Sequence, residues 1–321
     1  MTAVRSFRRS ELLFVVLGLV MLLVLPRVLY SALALRIVLW ALFAVSVDLL
    51  LGFGGMLSFG HAAFWGGAGY AAALLAKTFQ LPFPIATVAG VVAAMVLAIP
   101  VGYLSIRRRG IYFAMVTLAF AQMLFYVVNE WRDVTGGENG VQGVPKILPG
   151  LSVSRTIDFY YAALPLVLIG FFFAYRVVHS PFGHVLVSIR DNEARAQALG
   201  YATQQYKLVA FVLSAAIAGL AGSLFAIGNS FASLDLLHWS TSGTVVLMTV
   251  LGGSGTLWGS AVGAAIVLLI EDQLSTLTEA PGVITGAILI AIVLGMRRGV
   301  WPTVRDAVLR SYAKIRPGAV P

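Results

Sequence analysis

The chain has 321 residues, of which 60% are hydrophobic and 11% are charged, and its mean hydropathy is +0.93. A soluble globular domain carries about 25% charged residues, so a soluble fold of this length could not enclose so much apolar surface. The net charge of +9 does not indicate nucleic-acid binding, because the basic residues cluster at the ends of apolar runs, as membrane topology requires. The sequence contains no cysteine, which excludes disulfides and cysteine-based metal or redox sites. These features predict an all-α polytopic membrane protein surrounded by lipid.

Apolar runs of about 20 residues are long enough to cross a bilayer as helices. The sequence predicts ten such spans, with eight as the alternative number. They lie at residues 11–30, 32–51, 58–77, 84–105, 111–129, 158–178, 207–228, 240–253, 256–275 and 281–296. The first run has no small-residue cleavage site and another apolar run follows at once, so we predict an uncleaved first span rather than a signal peptide. The eighth run is short and is followed by a glycine-rich break, which also suits a re-entrant arrangement.

The basic residues predict the orientation of these spans. With ten spans, all four basic clusters fall on one side, which is then the cytoplasmic side; the clusters lie within residues 5–9, 107–109, 176–207 and 297–316. Arg27 and Arg36 are exceptions, since they lie near the first outer turn. Both termini are therefore predicted to be cytoplasmic, in a single permease domain over 1–321 that ends in a cytoplasmic tail at 297–321.

The longest polar segment between closely spaced apolar runs is 179–206. On the basic side of the membrane, such a segment is typical of a surface that docks a soluble partner. We expect a short helix over 190–199 that Gly200 terminates, with Asp191 and Glu193 in its first turn, where the helix dipole favours acidic groups. A plain amphipathic surface helix is the alternative interpretation.

A second feature is the glycine- and serine-rich run at 52–73, which predicts a broken span. Ser58 and His61 would then line a transport pathway, although close packing of small residues explains the same pattern. Asp48 lies near the cytoplasmic end of its span and has either a functional or a helix-end role. The residues that we regard as candidates for the pathway wall are Ser58, His61, Thr117, Gln122 and Asn129.

Other glycines are expected to act through packing and turns. Gly255, Gly259 and Gly263 recur at intervals of four and predict a helix-packing ridge, and the glycines at 136–143 predict turns with positive φ in an outer loop. The segments 51–57 and 251–257 share Leu, Gly, Gly and Leu in register, which is a weak indication of an internal repeat. No phosphate-binding G-x-x-x-x-G-K-[ST] loop, H-E-x-x-H pattern or nucleophile elbow occurs, so we predict no enzymatic activity in this chain.

At 189–226 the chain reads IRDNEARAQALGYATQQYKLVAFVLSAAIAGLAGSLFA. This string resembles the cytoplasmic loop and following helix of the LivM-type permeases of branched-chain amino acid ABC importers. Further stretches resemble the same family in the same order, and they lie at 54–75, 108–123, 135–141 and 251–264. Together these stretches extend over most of the chain.

The resemblance implies the permease subunit of an ATP-driven importer in the inner membrane of a bacterium, as a multi-pass protein. It implies a LivH-type permease, two cytoplasmic ATPase subunits and a periplasmic substrate-binding protein as partners. ATP would be bound by the partner subunits, and no cofactor by this chain. The loop at 190–206 resembles the family's coupling segment, although Gly200 comes one position late after Glu193. The residues implied to contact the ATPase are Asp191, Asn192, Glu193, Ala194 and Gly200.

Other functions remain open at this point. An ion-coupled secondary transporter would require buried carboxylates at mid-span, for which Asp48 and Glu271 are the candidates. A membrane enzyme would require clustered catalytic groups, and the sequence shows none. Within the ABC permeases, urea, a sugar or another small polar solute are alternative substrates.

Overall fold

The computed structural model describes residues 21–276 and 299–306, together with positions 18, 284, 286, 287, 295 and 296. The described part of the chain consists mainly of α-helices, numbered here in chain order. Their bounds are α1 Ser31–Asp48, α2 His61–Phe79, α3 Phe83–Ser105, α4 Ile111–Glu130, α5 Arg132–Thr135, α6 Thr156–Val178, α7 Pro181–Asp191, α8 Glu193–Ala198, α9 Thr203–Gly228, α10 Trp239–Gly252 and α11 Trp258–Ser275. Residues 21–28 and 300–306 are also helical.

Five described segments are long and apolar enough to cross a membrane, which confirms the prediction of an all-α membrane protein. They are Ser31–Phe53, Phe83–Ser105, Ile111–Glu130, Thr156–Val178 and Thr203–Gly228, and each coincides with a predicted span. The predicted third, eighth and ninth spans correspond to α2, α10 and α11. Most of the predicted tenth span and nearly half of the first lie outside the described residues, so the number of spans stays a prediction.

Helices α1 and α9 form the centre of the bundle. Helix α9 packs against α1, α2, α3 and α6, and small residues bring the backbones together. A Cβ at Gly222 would overlap the carbonyl group of Trp65 in α2. The ring of Trp65 stacks on Phe43 of α1, with 4.5 Å between the ring centroids. Lipid gives helices no hydrophobic reason to associate, so close packing of this kind holds such bundles together.

Helix α3 has exposed apolar residues on its outer face, in contrast to the closely packed small residues at the centre of the bundle. Val88, Val92, Val96 and Ile99 recur every three or four residues and are all exposed. An apolar stripe of this kind is unfavourable in water and stable against lipid or another membrane helix. This surface therefore agrees with the membrane environment inferred from composition.

The glycine-rich run after α1 does interrupt the helices, as predicted. Helix α1 continues through a π-helical turn at Leu49–Phe53, and residues 54–60 are not helical before α2 begins. Gly55 has φ +66°, a conformation that favours glycine. The amide of Ala62, in the first turn of α2, donates to Ser242 Oγ of α10 at 2.8 Å. A helix start needs such acceptors because its first amides lack partners within the helix.

Helices α10 and α11 pack closely through small residues. A Cβ at Gly263 would overlap the carbonyl of Met248, and one at Gly259 would lie 2.7 Å from the carbonyl oxygen of Gly252. The predicted packing ridge is thus confirmed for Gly259 and Gly263. It is wrong for Gly255, which has φ +81° and lies in the turn before α11.

The predicted outer loop between α4 and α6 contains little regular structure. Strand β1 (Val141–Gln142) pairs antiparallel with β4 (Phe231–Ala232), with Val141 opposite Ala232. Strands β2 (Ile147–Leu148) and β3 (Leu151–Ser152) form a hairpin. The predicted turns are confirmed, since all four glycines within 136–143 have positive φ: Gly136, Gly137, Gly140 and Gly143.

The prediction of one helix over 190–199 is wrong. Asn192 has φ −158°, ends α7 and begins α8, so two short helices meet there. The reason lies in the side chain of Asn192, whose Oδ1 accepts from the amide of Arg195 at 2.9 Å. Asparagine that caps a helix in this way favours a new start over continuation. Asp191 therefore closes α7, and only Glu193 lies in the first turn of α8.

Candidate functional site

The predicted coupling segment, residues 190–206 and called the coupling segment below, contains the short helix α8, and both ends of that helix are capped. Asn192 caps the start of α8, and Gly200 ends it with φ +88°. The amide of Gly200 donates to the carbonyl of Gln197 at 2.9 Å, and the amide of Tyr201 donates to the carbonyl of Ala196 at 3.2 Å. These two bonds form a Schellman motif, which requires the left-handed conformation that glycine adopts most easily. The expected terminating role of Gly200 is confirmed.

Glu193 is the inward-facing member of this segment. Its side chain is 12% exposed, and its Oε1 lies 2.7 Å from Lys207 Nζ, which belongs to a side chain that is 10% exposed. The other carboxylate oxygen lies 3.1 Å from Arg109 Nε in the loop between α3 and α4. Thr203 Oγ1 also donates to Glu193 at 3.3 Å. The carboxylate thus holds α8 against the first turns of α9 and the loop between α3 and α4.

The other predicted coupling residues face outward. Asp191, Asn192, Ala194 and Gly200 are all exposed. Beside them, the apolar side chain of Leu199 is 73% exposed. The segment is therefore attached to the bundle on one side by charge pairs and presents a partly apolar face on the other.

Three of the predicted pathway residues, Ser58, His61 and Thr117, are buried. Ser58 Oγ accepts from the amide of Gly60 at 3.2 Å, and Thr117 Oγ1 accepts from the amide of Phe59 at 3.2 Å. Both side chains thus hold the non-helical run that leads into α2.

His61 connects α2 to two other helices. Ser214 Oγ donates its hydrogen to the carbonyl of Ser46 at 2.5 Å, so His61 Nε2, 2.8 Å from the same Oγ, must be the donor in that bond. This chain of bonds connects α2, α9 and α1. The Nδ1 atom of His61 is buried and has no hydrogen-bond partner among the described residues.

Gln122 and Asn129 are placed differently, on the less buried side of α4. They are seven residues apart and therefore lie on the same face of the helix, together with the exposed Met115. The side-chain oxygens Gln122 Oε1 and Asn129 Oδ1 are buried and lack hydrogen-bond partners among the described residues. The five pathway candidates thus divide into a buried set around the start of α2 and two amides on α4.

Asp48 has a structural role at the second glycine-rich break. It is completely buried at the end of α1. Its Oδ1 accepts from the amide of Gly255 at 2.6 Å and its Oδ2 accepts from the amide of Leu257 at 2.8 Å. Both carboxylate oxygens are therefore engaged by backbone amides. The segments 51–57 and 251–257, which resemble each other in sequence, are held next to each other by this residue.

Glu271, the other acid considered for ion coupling, pairs with Arg36. The distance between Arg36 Nη2 and Glu271 Oε2 is 3.2 Å, and both side chains are partly exposed. Tyr30 donates to Asp272 beside this pair. The ion pair gives a physical reason for Arg36 as an exception to the basic pattern, and it removes Glu271 as an unpaired acid. Neither Asp48 nor Glu271 supports the secondary-transporter hypothesis.

Sequence reasoning missed several residues that hold this site together. Lys207 appeared only as part of a basic cluster, and Arg190 as one of several positive charges. Arg190 Nη1 donates to the carbonyl of Gly52 at 2.5 Å. The sequence offers one signal for Lys207, because it lies near the start of an apolar helix and a lysine that is buried there requires a nearby acid. Nothing local in the sequence indicates the partner of Arg190.

Comparison with known proteins identifies the family of this chain. Residues 29–295 match the family model described as the branched-chain amino acid transport system, permease component. The high-affinity branched-chain amino acid transport system permease protein LivM of Escherichia coli K12 is 28% identical over 308 residues, which cover 87% of this chain and 70% of that protein.

Two further relatives show the breadth of the similarity. LivM of Salmonella typhimurium is 28% identical over 294 residues, covering 83% of this chain and 68% of that protein. The autoinducer 2 import system permease protein LsrC of Escherichia coli is 28% identical over 169 residues, about half of each chain. No solved structure matches the chain. Because the family model extends over most of the sequence, the chain belongs to the permease components of branched-chain amino acid transport systems.

Proposed function

We propose that this chain is one of two transmembrane permeases in an ATP-driven importer for branched-chain or related amino acids, in the inner membrane of a bacterium. Its partners are then a LivH-type permease, two cytoplasmic ATPase subunits and a periplasmic binding protein that delivers the substrate. Family membership and the similarity to LivM over 87% of the chain support this assignment. In this proposal ATP is bound by the partner subunits, and this chain binds no cofactor.

The observation that carries the proposal is the two-sided construction of the coupling segment. Its outer face combines an exposed leucine with capped helix ends, and its inner face is attached through Glu193 to Lys207 and Arg109. Since single exposed apolar side chains are common on protein surfaces, Leu199 supports the proposal only together with the exposed, capped helix ends beside it. We propose that Asp191, Asn192, Ala194, Leu199 and Gly200 form the docking face for an ATPase subunit.

This proposal changes the role assigned to Glu193. A carboxylate that is 12% exposed and paired with two cations has little capacity left for a partner protein. We therefore propose that Glu193 positions α8 rather than contacting the ATPase. These pairs keep α8 attached to α9, so a displacement of the docked helix is passed on to α9.

We propose the membrane topology from the positions of the basic residues along the chain. Ten spans with both termini in the cytoplasm place 179–206 on the ATPase side and the loop between α4 and α6 on the side of the binding protein. The chain then forms a single permease domain over 1–321, with 297–321 as its cytoplasmic tail. The clustering of basic residues at the ends of the apolar runs supports this arrangement.

For the substrate route, α4 is the strongest candidate. Gln122 and Asn129 lie on one partly exposed face of α4, and their unpartnered amide oxygens can accept from the ammonium group of an amino acid. The exposed Met115 on the same face suits an apolar side chain. We propose that this face lines the route, and that Ser58, His61 and Thr117 hold the helix behind it.

The docking proposal is tested with charge substitutions on matched exposed leucines. We expect Leu199→Glu to lower the amount of ATPase subunit that co-purifies with the chain by about tenfold, because it removes an apolar anchor. Leu151, which is 67% exposed in the outer hairpin, serves as the control, and Leu151→Glu should leave co-purification unchanged. Equal co-purification with both variants would contradict the docking face.

The substrate proposal is tested separately. Uptake of radiolabelled leucine, isoleucine and valine by the complete complex in proteoliposomes should require ATP and the binding protein. The similarity to LsrC makes the autoinducer 2 class the solute to compare. Uptake of that solute, urea or a sugar in place of the three amino acids would support an ABC importer but contradict the proposed amino acid substrate. Uptake by the chain alone on an ion gradient would reject both.

A further inference from the structure

The side chain of Arg190 lies between the coupling segment and both glycine-rich breaks. Arg190 is the penultimate residue of α7. A Cβ at Gly55 would lie 2.6 Å from Arg190 Cγ, and a Cβ at Gly255 would lie 3.9 Å from Arg190 Nη1. One arginine of the coupling segment thus reaches the break after α1 and the break before α11.

The contact with the first break is a charge-assisted hydrogen bond. Helix α1 ends through a π-helical turn at Leu49–Phe53. The last carbonyl groups of a helix lack amide partners within it. Arg190 Nη1 supplies a donor to one of these carbonyls, Gly52, at 2.5 Å. Bonds from a guanidinium are stronger and more directional than those between neutral groups, so the end of α1 is held by a residue 138 positions away.

The other nitrogens of Arg190 bind the docking face. Arg190 Nε and Nη2 donate to Asp191 Oδ1 at 3.0 and 2.9 Å. Asp191 is exposed, with 63% of its side chain accessible. A protein that docks on Asp191 therefore also acts on the guanidinium that holds Gly52, without touching the membrane bundle itself.

The two breaks move together because of Asp48 and Gly52. The carboxylate of Asp48 binds the amides of Gly255 and Leu257. Gly52 lies against both partners, since a Cβ there would overlap Asp48 Oδ1 and the amide nitrogen of Gly255. A displacement of the Gly52 backbone is therefore transmitted to the turn before α11.

We propose that Arg190 is the positioning residue that transmits displacement of the docked coupling segment to both helix breaks, and so couples ATP hydrolysis to opening of the substrate route. This inference rests on the proposed function as an ABC importer permease. Arg190 contacts no substrate in this scheme. Its effect is on how much transport each hydrolysed ATP produces.

The first test measures leucine uptake and ATP hydrolysis by the complete complex in proteoliposomes. Arg190→Gln should lower the uptake per ATP hydrolysed by about tenfold, the factor expected for the loss of roughly one charge-assisted bond. The ATPase subunits should still co-purify. Arg190→Lys should give an intermediate ratio, because a lysine can reach one acceptor but cannot hold Gly52 and Asp191 in one plane.

The matched control is Arg176→Gln, which removes an exposed arginine at the end of α6 and should leave the ratio unchanged. An Arg190→Gln ratio equal to that of the native complex would overturn the proposal. A parallel fall of uptake and hydrolysis would also overturn it, since docking rather than coupling would then be lost.

The second test uses the absence of cysteine from the chain. A Cβ at Gly55 would lie 3.5 Å from Arg190 Cβ, which is within the range of a disulfide. Gly55→Cys with Arg190→Cys also removes the guanidinium bond to Gly52, so the segment should then move without the break. The pair should therefore cross-link readily in the nucleotide-free complex and several-fold less in a complex trapped with an ATP analogue. The strain of a cysteine at φ +66° is present in both states, so it does not affect the comparison.

The control for the second test is Gly69→Cys with Ala226→Cys, between α2 and α9. A Cβ at Gly69 would lie 3.3 Å from Ala226 Cβ, and cross-linking of this pair should be equal in both states. Equal cross-linking in both states for both pairs would show that the segment is not displaced relative to the first break even without the arginine, and the proposal would fail. If no ATPase co-purifies with the native chain, the proposed function itself fails; if it does and the Arg190 tests are negative, only the present inference fails.

Discussion

Asp48 and Glu193 both have carboxylates that point into the protein, and different partners offset the cost of burying each negative charge. Asp48, at the end of α1, accepts from the backbone amides of Gly255 and Leu257. Glu193, in the coupling segment, is paired with the side chains of Lys207 and Arg109. The first fixes the path of the backbone at a break between helices. The second fixes a separate short helix to the bundle.

This difference matters for motion. Amides have no freedom to leave a carboxylate without moving the main chain, so Asp48 holds the two breaks as one unit. Lysine and arginine side chains are long and can follow a shifting partner. The Glu193 pairs therefore suit a segment that must stay attached while it is displaced by a partner protein. Four predictions test this comparison.

The largest effect is expected at Asp48. Asp48→Ala leaves two amides without acceptors, and each buried unsatisfied donor costs about 1–3 kcal/mol. We expect a loss of about 3 kcal/mol in stability, seen as a lower thermal midpoint of the detergent-purified chain. Asp48→Asn keeps one acceptor oxygen and should lose about half as much. Equal midpoints for the native chain and Asp48→Ala would show that the carboxylate is not the anchor of this turn.

At Glu193 the expected effect is smaller and depends on its partner. Glu193→Gln leaves Lys207 charged and buried, and should cost about 2 kcal/mol. Combining it with Lys207→Met removes the unpaired charge and should recover at least half of that loss. Limited proteolysis of the 190–206 segment, together with the thermal midpoint, measures the four forms of this double-mutant cycle. Additive losses would mean that the two side chains do not interact.

The cap of α8 should contribute less than either carboxylate. Asn192→Ala removes the side-chain acceptor for the amide of Arg195 and should cost about 1 kcal/mol. Asn192→Asp retains an acceptor and serves as the control. Cleavage at 190–206 should become faster for the alanine variant alone. If α7 and α8 instead fuse into one helix, cleavage will slow, which would show that the cap maintains the break between them. Unchanged cleavage would show that the break does not depend on the cap.

Arg109 should have the smallest effect, although it binds the same carboxylate as Lys207. Its side chain is 66% exposed, and exposed pairs contribute about 0.2–1 kcal/mol. Arg109→Gln should therefore shift the thermal midpoint by no more than one or two degrees, and added salt should remove the difference. A loss as large as that of Glu193→Gln would mean that Arg109, rather than Lys207, is the main partner.

The elements that followed sequence patterns were predicted well. The five apolar spans, the turn glycines at 136–143 and the termination of α8 by Gly200 all depend on local composition or on one backbone conformation. The break at Asn192 was not predicted. The sequence at 190–199 favours one continuous helix, and a single capping residue within it was not taken as a helix start. Gly255 was assigned to a ridge because its spacing is helical, whereas the preceding turn decides its conformation.

The candidate site was predicted less completely, and the reason is sequence distance. The coupling residues are neighbours along the chain and could be selected together, but the inward orientation of Glu193 depends on Lys207 in another helix. The pathway candidates were chosen as polar residues in apolar runs. Such a choice cannot separate Ser58 and Thr117, which bind nearby amides, from Gln122 and Asn129, whose oxygens lack partners in the described part of the chain.

The sequence by itself determined the membrane environment, the helical class, the family and the location of the polar segment for which we propose a coupling role. Each of these follows from composition, the length of apolar runs or a contiguous motif, which are local properties of a chain in lipid. Only the tertiary structure decided what Asp48 and Arg190 do, since their partners lie 207 and 138 positions away, respectively. Bonds across such distances depend on how helices pack, and small residues that permit close approach at many places do not specify which places meet.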